Sequence, residues 1–116
     1  MDGTTVEIAT RESQDILIMD MTGRLDSSTA GASHDKMVGI VKSGAKRIIL
    51  NLDKLEFVTS AGLRVILTMA KLLQSVRGEL KICDARAPVR EVLEASGFNS
   101  LIRIFDDEES AIQSWN

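Results

Sequence analysis

The chain has 116 residues, which predicts a single domain, and 44% of them are hydrophobic but only 3% aromatic. This composition excludes a disordered chain and predicts a core of aliphatic side chains. The net charge of −3, with Lys and Arg scattered among acids, lacks the clustered positive charge that binds nucleic acid.

The cysteine content and the N-terminus indicate where the protein works. Cys83 is the only cysteine, which excludes an intramolecular disulfide and a multi-cysteine metal site. The N-terminal sequence lacks the basic and apolar regions of a secretion signal, and no apolar run approaches the roughly 20 residues of a membrane span. We therefore expect one cytoplasmic domain over 1–116, with no membrane insertion and no nucleic-acid partner.

The first two apolar runs predict an antiparallel hairpin. Val6 and Ile8 alternate with polar neighbours, and a second alternating run comes after a turn at 12–15 and covers 16–21. Gly23 is then expected to end the second strand.

A helix is predicted next, from a cap at Ser27 or Ser28 to about Ser43, with Gly44 as its C-terminal glycine. Its apolar residues share one side at helical spacing: Ala30, Met37, Ile40 and Val41. This side is predicted to cover one face of the sheet. His34 lies at the margin of the apolar side, which predicts a partly exposed residue with no special role.

The central part of the chain predicts a strand, a turn and a helix. The strand covers 47–52, the helix covers 61–76, and the stretch 57–63 between them reads F-V-T-S-A-G-L. Free backbone N–H groups at a helix start suit an oxygen ligand or an anion. Ser60 stands at this start, where the simplest interpretation is an N-cap.

The helix over 61–76 carries two apolar stripes instead of one. At about 100° per residue, one stripe contains Leu63, Ile66, Leu67, Ala70 and Gln74. The opposite stripe contains Val65, Met69, Leu72 and Val76. An outer helix of a one-core domain needs a single stripe, so the second is either covered by a neighbouring helix or exposed to a partner, including a second copy of the chain.

The last third of the chain predicts a strand, a helix and another strand. The residues 79–83 alternate like a strand, with Cys83 as a small buried residue. Pro88 suits the first turn of a short helix that Gly97 ends. The last strand is predicted over 101–105.

A final helix is predicted after an acidic run. Asp106 with Glu109 three residues later matches a capping box, and the acids suit the positive end of a helix. Ile112 and Trp115 are expected to fix this helix to the body of the domain.

The element order is therefore β-β-α-β-α-β-α-β-α, an α/β fold. It predicts a mixed, mostly parallel sheet with an N-terminal antiparallel hairpin and about four helices. Parallel sheets carry their sites at the carboxyl ends of strands. The turn at Thr59 and Ser60 comes after one such end and the turn before Asp26 comes after another, so we expect these turns to converge.

No motif for a cofactor, a metal or catalysis is present. The chain lacks G-x-G-x-x-G, a P-loop, H-E-x-x-H and paired cysteines, so no cofactor is expected. Ser60 does not match a hydrolase nucleophile, because Val58 stands where the G-x-S-x-G elbow needs its first glycine. We therefore do not expect an enzyme.

Two motifs carry a resemblance to a known family. The run I-I-L-N-L-D-K-L-E-F-V-T-S-A-G-L-R-V-I-L over 48–67 resembles the signature of STAS domains, in particular of bacterial anti-sigma factor antagonists. The run T-G-R-L-D-S-S-T-A over 22–30 is similar to a second patch of that family. The predicted element order matches the family fold from end to end, so the resemblance implies the STAS fold for essentially the whole chain.

The resemblance also implies a function. Family members of this kind bind an anti-sigma factor and so release a sigma factor for transcription. The anti-sigma factor is often a serine kinase that inactivates the antagonist by phosphorylating a serine in the strand-to-helix turn, and a PP2C-type phosphatase reactivates it. That serine matches Ser60, and Asp26 matches an acidic residue near it. Many members have Asp where this chain has Thr59, which makes Thr59 the alternative phosphate acceptor.

The expected partner-binding residues come from the same match and from the second stripe of the helix. They are Asp26, Ser27, Thr29, Thr59, Gly62, Leu63, Arg64, Val65, Met69 and Leu72. Two other functions remain open. One is a STAS subunit of a stressosome or a lipid-transport complex without a sigma-factor role, and the other is a small enzyme or nucleotide-binding protein that uses the turn as an anion site.

Overall fold

Strands and helices alternate in the predicted order. The computed structural model describes residues 6–116. Its strands are β1 (Val6–Ser13), β2 (Ile16–Leu25), β3 (Arg47–Val58), β4 (Glu79–Cys83) and β5 (Arg103–Phe105). Its helices are α1 (Ala30–Lys42), α2 (Ser60–Ser75), α3 (Ala87–Ala95) and α4 (Glu108–Gln113), with a 3-10 turn at Phe98–Ser100. Within 6–116, no helix is long and apolar enough to cross a membrane.

The five strands form one sheet in the order β1-β2-β3-β4-β5. The pair β1 and β2 is antiparallel and the other pairs are parallel, which confirms the predicted mixed sheet. Because neighbouring strand residues face opposite sides, Ile48 and Leu50 join a large apolar cluster with α1, α2 and α3, whereas Ile49 joins a smaller one with α4. Three helices therefore cover one face of the sheet and α4 covers part of the other.

The core is aliphatic, as the composition predicted. Met19, Leu50 and Ile82 are fully buried in the larger cluster. Cys83 is fully buried beneath α4, and burial raises the pKa of its thiol. A thiol in this state packs as a small apolar group and is not an activated nucleophile.

Strand β3 is longer than predicted: it continues past the predicted end at Leu52 to Val58. Pairing with β2 skips residues of β3 at two places, where the register shifts. These bulges turn Leu52, Leu55 and Val58 all toward the core although they are three residues apart. The alternating pattern that marks a strand is lost there, which explains the early boundary.

Gly23 lies within β2 and does not end it, so that prediction was wrong. The residue has a φ of +112° and adjoins one of the register shifts, after which β2 continues to Leu25. A positive φ is readily adopted by glycine. The glycine therefore accommodates a local irregularity in the pairing of β2 with β3, shortly before β2 ends.

Three helix caps lie one or two residues away from their predicted positions. The N-caps are Thr29 instead of Ser27 or Ser28 for α1, and Thr59 instead of Ser60 for α2. For α4 the cap is Asp107 instead of Asp106, and its carboxylate accepts a hydrogen bond from the Ser110 N–H. Each stretch offers adjacent capping residues, so the pattern alone did not select one. The helix ends at Gly44 and Gly97 are confirmed, since both have a positive φ.

The second apolar stripe of α2 is covered by its neighbour. Val65 is 7% exposed and Met69 is 1% exposed, and both belong to the same cluster as Met37 and Val41 of α1. Of this stripe, only Val76 is substantially exposed. The stripe therefore belongs to the fold, and its burial removes the observation that suggested a homodimer through it.

The start of α2 packs directly on the end of β2. A Cβ atom built on Gly62 would lie 2.6 Å from the backbone oxygen of Leu25 and 2.9 Å from Cγ2 of Val58. The Thr59 N–H also donates a hydrogen bond to the Leu25 oxygen at 3.0 Å. Only glycine permits this approach, so Gly62 is a packing residue that fixes the position of the turn.

A buried lysine lies under α4 on the smaller-cluster side of the sheet. Lys81 is 1% exposed, and its ammonium donates a hydrogen bond to the Ser114 hydroxyl and lies 3.8 Å from the centroid of the Trp115 ring. The Trp115 N–H in turn donates to Glu79 at 3.1 Å. These contacts confirm that Trp115 fixes α4 to the body. No carboxylate among residues 6–116 forms an ion pair with Lys81, and burial lowers its pKa.

We predict that Gly62→Ala lowers the free energy of unfolding by about 2 kcal/mol, because the added methyl group must displace the backbone of β2 or α2. Gly39→Ala is the matched control. Gly39 is an exposed helical glycine with nothing within 4 Å of its Cβ position, so alanine should raise stability by about 0.5–1 kcal/mol. Urea denaturation of both variants measures the difference. Equal effects of the two substitutions would contradict the close contact.

We predict that Lys81→Met raises the free energy of unfolding at pH 7 by about 1 kcal/mol, because methionine fills the site without burying a charge. Between its lowered pKa and about 10.4, the native lysine binds fewer protons than the unfolded one, so its contribution to stability increases with pH. The advantage of methionine should therefore shrink toward pH 10. Lys71→Met on the exposed surface of α2 should show no such pH dependence in the same denaturation experiment.

Candidate functional site

The two predicted turns meet at one edge of the sheet. The parallel strands β2 and β3 end side by side, with Leu25 paired to Val58, and a hydrogen bond from the Thr59 N–H to the Leu25 oxygen ties the start of the second turn to the end of β2. This confirms the predicted convergence. The acidic turn after β2 and the start of α2 after β3 therefore form one site.

Asp26 is held in a fixed orientation by the residues of its own turn. Its Oδ1 accepts hydrogen bonds from the Ser28 hydroxyl at 2.6 Å, the Ser28 N–H at 2.9 Å and the Thr29 N–H at 3.3 Å. The bond from the Ser28 hydroxyl is the main cause that lowers the pKa of Asp26. The site therefore carries a negative charge at neutral pH.

Thr29 holds this acidic turn from the inside. It is 5% exposed, and its hydroxyl accepts a hydrogen bond from the Asp26 N–H and donates one to the Arg24 oxygen, each at 2.9 Å. The side chain is thus fully used by the fold. These hydrogen bonds shape the turn.

Ser60 and Thr59 differ sharply in accessibility. Ser60 is the first residue of α2 and is exposed. The side-chain oxygen of Thr59 is buried, and it has no hydrogen-bond partner among residues 6–116. The first N–H groups of a helix lack intrahelical partners. An anion on the Ser60 oxygen would therefore lie beside N–H groups and the positive end of the helix dipole.

An open groove of about 380 Å³ runs between α1 and α2, and it adjoins Ser60 at Ala61. Its lining residues are Ala30, Gly31, His34, Asp35, Ala61, Arg64, Val65 and Thr68. The floor is made of small apolar residues, and Arg64 and His34 lie among the polar groups around it. No linear pattern in the sequence indicates this groove, because it forms between two helices that pack together.

A cation-π pair on the other side of the turn was also missed. Phe57 is 42% exposed, and the Arg24 guanidinium carbon lies 5.0 Å from its ring centroid. The Nε atom of Arg24 is 3.9 Å from Asp26. An aromatic residue directly before the turn, in a chain with only three Phe and one Trp, was the signal that could have indicated this exposed patch.

The predicted partner-binding residues differ in how far they are exposed to solvent. Ser27 and Arg64 are exposed, and Asp26, Thr59 and Leu72 are half-buried. The remaining ones are buried and serve the fold: Thr29, Gly62, Leu63, Val65 and Met69. Helix α1 and the end of β2 pack on these buried side chains, although Val65 also lines the groove. Their contact with a partner stays a prediction.

His34 is partly exposed, as predicted, with its side chain 45% exposed and Nδ1 3.4 Å from a carboxylate oxygen of Asp35. Within the described residues, no three His, Cys, Asp or Glu side chains are grouped to hold a metal ion. The site is therefore an exposed serine, a fixed carboxylate and a shallow groove.

Known proteins share this architecture. Residues 7–111 match the family described as STAS domain. The chain is 38% identical over 96 residues to BtrV of Bordetella bronchiseptica, named as an anti-sigma factor antagonist, with 83% of each chain covered. It is 32% identical over 108 residues, 92% of each chain, to an anti-sigma F factor antagonist of Paenibacillus polymyxa.

A solved relative shares the fold. The anti-sigma factor antagonist SpoIIAA in its unphosphorylated form superimposes with a TM-score of 0.78 at 24% identity, with 93% of this chain and 95% of that chain covered. The phosphorylated form of Bacillus SpoIIAA superimposes with a TM-score of 0.71 at 22% identity, with 95% and 100% covered. The family match covers most of the chain, and the relatives from Bordetella bronchiseptica and Paenibacillus polymyxa are more than 30% identical to it. The chain therefore belongs to the STAS domain family.

Proposed function

We propose that this chain is an anti-sigma factor antagonist, a binding module in the cytoplasm without catalytic activity. Its partner is an anti-sigma factor that is also a serine kinase, and phosphorylation of Ser60 switches the binding off. The single observation that carries the proposal is the exposed Ser60 at the start of α2, beside the fixed carboxylate of Asp26 and the groove between α1 and α2. The names of the relatives agree with it.

Accessibility favours Ser60 over Thr59 as the phosphate acceptor. A kinase must bring its bound nucleotide to the attacking hydroxyl, so this hydroxyl must be accessible on the protein surface. The Ser60 side chain is exposed, whereas the Thr59 oxygen is buried between α2 and the end of β2. Exposure also allows a PP2C-type phosphatase to reach phosphoserine and restore binding.

The fold is compatible with a phosphate at this place. A phosphoserine carries about −1.5 to −2 charges, and the N-terminus of α2 favours negative charge. A solved phosphorylated form of SpoIIAA has the same fold as this chain, which supports this point. Modification should therefore leave the structure of the free protein unchanged.

The phosphate instead weakens binding of the anti-sigma factor. A partner that covers the groove must remove water from the new charge while Asp26 stays ionised beside it. A penalty of about 3 kcal/mol would already weaken the affinity by more than a hundredfold. The partner surface that we propose consists of Asp26, Ser27, Ser60 and Arg64, with Leu72 farther along α2.

We predict that a histidine-kinase-like ATPase encoded alongside the chain phosphorylates it once, on Ser60. Mass spectrometry after incubation with ATP should locate the phosphate, Ser60→Ala should abolish it, and Thr59→Ala should retain it. Phosphate on Thr59, or its persistence in Ser60→Ala, would overturn the assignment of the acceptor.

We predict that Ser60→Asp weakens binding of the anti-sigma factor at least tenfold in isothermal titration calorimetry, less than the full phosphate because aspartate carries only one charge. Ser75→Asp is the control, since it places the same charge on the exposed far end of α2. It should bind like the unmodified chain. If the two variants bind equally well, the switch is not at the start of α2.

A STAS subunit of a stressosome or lipid-transport complex is the second candidate. Thr59, which stands where many antagonists have aspartate, favours it. Purification of the chain from its own cells distinguishes the two candidates, because a transporter ATPase or a large scaffold would copurify in place of an anti-sigma kinase.

A further inference from the structure

Arg64 stands apart from most of the arginines of the chain. Its side chain is exposed and forms no ion pair or hydrogen bond with any residue between 6 and 116. In contrast, Arg11, Arg47 and Arg90 bind carboxylates, and Arg86 donates to a backbone oxygen. The Arg64 guanidinium is therefore available for an anion that is not yet present.

Helix geometry places Arg64 one turn after Ser60 on the same face of α2. Residues four apart lie on the same face of an α-helix, and long side chains lean back toward the N-terminus. Ser60 is the first residue of α2, and Arg64 lies one turn later. Both adjoin the groove between α1 and α2, at Ala61 and at Arg64 itself. Ser60 and Arg64 therefore lie on one face of α2, next to the groove.

We propose that Arg64 captures the phosphate on Ser60, and that this capture withdraws Arg64 from the surface that binds the partner. The inference rests on the proposed function. The kinase transfers the γ-phosphoryl group of ATP to the Ser60 oxygen, which loses its proton, and ADP leaves. A guanidinium can then bind two phosphate oxygens in parallel.

The other charged groups around the site are less suited than Arg64 to bind the phosphate. Asp26 is ionised and opposes a second anion, and Arg24 lies 3.9 Å from that carboxylate and over the Phe57 ring. From α1, His34 and Asp35 face the same groove and interact with each other. Phosphorylation therefore changes two features of the surface together, since it adds an anion and occupies a cation.

The capture can be tested without any kinase or partner. Phosphoserine is installed at position 60 by genetic code expansion, and its second pKa, near 6 for an ordinary phosphate, is measured by phosphorus NMR. Removing a cation that stabilises the dianion raises this pKa, so Arg64→Gln should raise it by about 0.3 unit or more. Arg64→Lys should give a phosphoserine pKa between those of the protein that keeps Arg64 and of the Arg64→Gln protein, because lysine keeps the charge but cannot donate two parallel hydrogen bonds.

Lys71→Gln is the matched control, because Lys71 is an exposed cation on the same helix and forms no ion pair with residues 6–116. It should leave the phosphoserine pKa unchanged. Equal pKa values for the Arg64→Gln and Lys71→Gln proteins would overturn the capture and would leave the proposed function standing.

The withdrawal is tested by a cycle of four proteins: the chain and Arg64→Gln, each with and without phosphate, titrated with the anti-sigma factor. Arg64→Gln should weaken binding of the unphosphorylated protein and have little effect on the phosphorylated one. Phosphorylation should therefore reduce the affinity by a smaller factor in Arg64→Gln than in the chain that keeps Arg64. An equal fold loss in both backgrounds would contradict the withdrawal.

Discussion

The site depends on one close contact, the first turn of α2 against the end of β2. Gly62 has no side chain, so the helix backbone comes near the Leu25 oxygen, and the same oxygen accepts the Thr59 N–H. This contact sets the direction in which α2 leaves the sheet. It thereby places Ser60 beside the acidic turn, even though the two are far apart in the sequence.

The residues of this small surface differ in charge and in burial. Asp26 is held by three donors and keeps its charge and its position. Ser60 is exposed, and Arg64 has no partner within the described chain. A fixed anion beside groups that are free to change gives a surface whose charge can be altered without repacking the core. The buried residues of α2 hold that core constant.

Much of the fold could be predicted from sequence, because helix and strand periods reflect directly which side chains are buried. The element order, the mixed sheet and the convergence of the two turns were all correct. Features that depend on irregular strand pairing or on packing between elements were not predicted. The bulged half of β3 lost its alternation at Leu52, Leu55 and Val58, and the burial of Val65 and Met69 depended on how α1 packs. Local patterns do not encode such packing, so the sequence alone did not show which of the predicted partner-binding residues are exposed.

The same bulges make the length of β3 a constraint in its own right. Between Asn51 and Val58 the strand uses seven steps where β2 uses five from Asp20 to Leu25. Deleting one residue there would turn the next side chains to the opposite face and shift Ser60 by about 3.3 Å along the sheet. Among relatives, we expect insertions and deletions to collect in the β1–β2 turn at Gln14 and Asp15. The stretch before Thr59 should stay constant in length even where its residues differ.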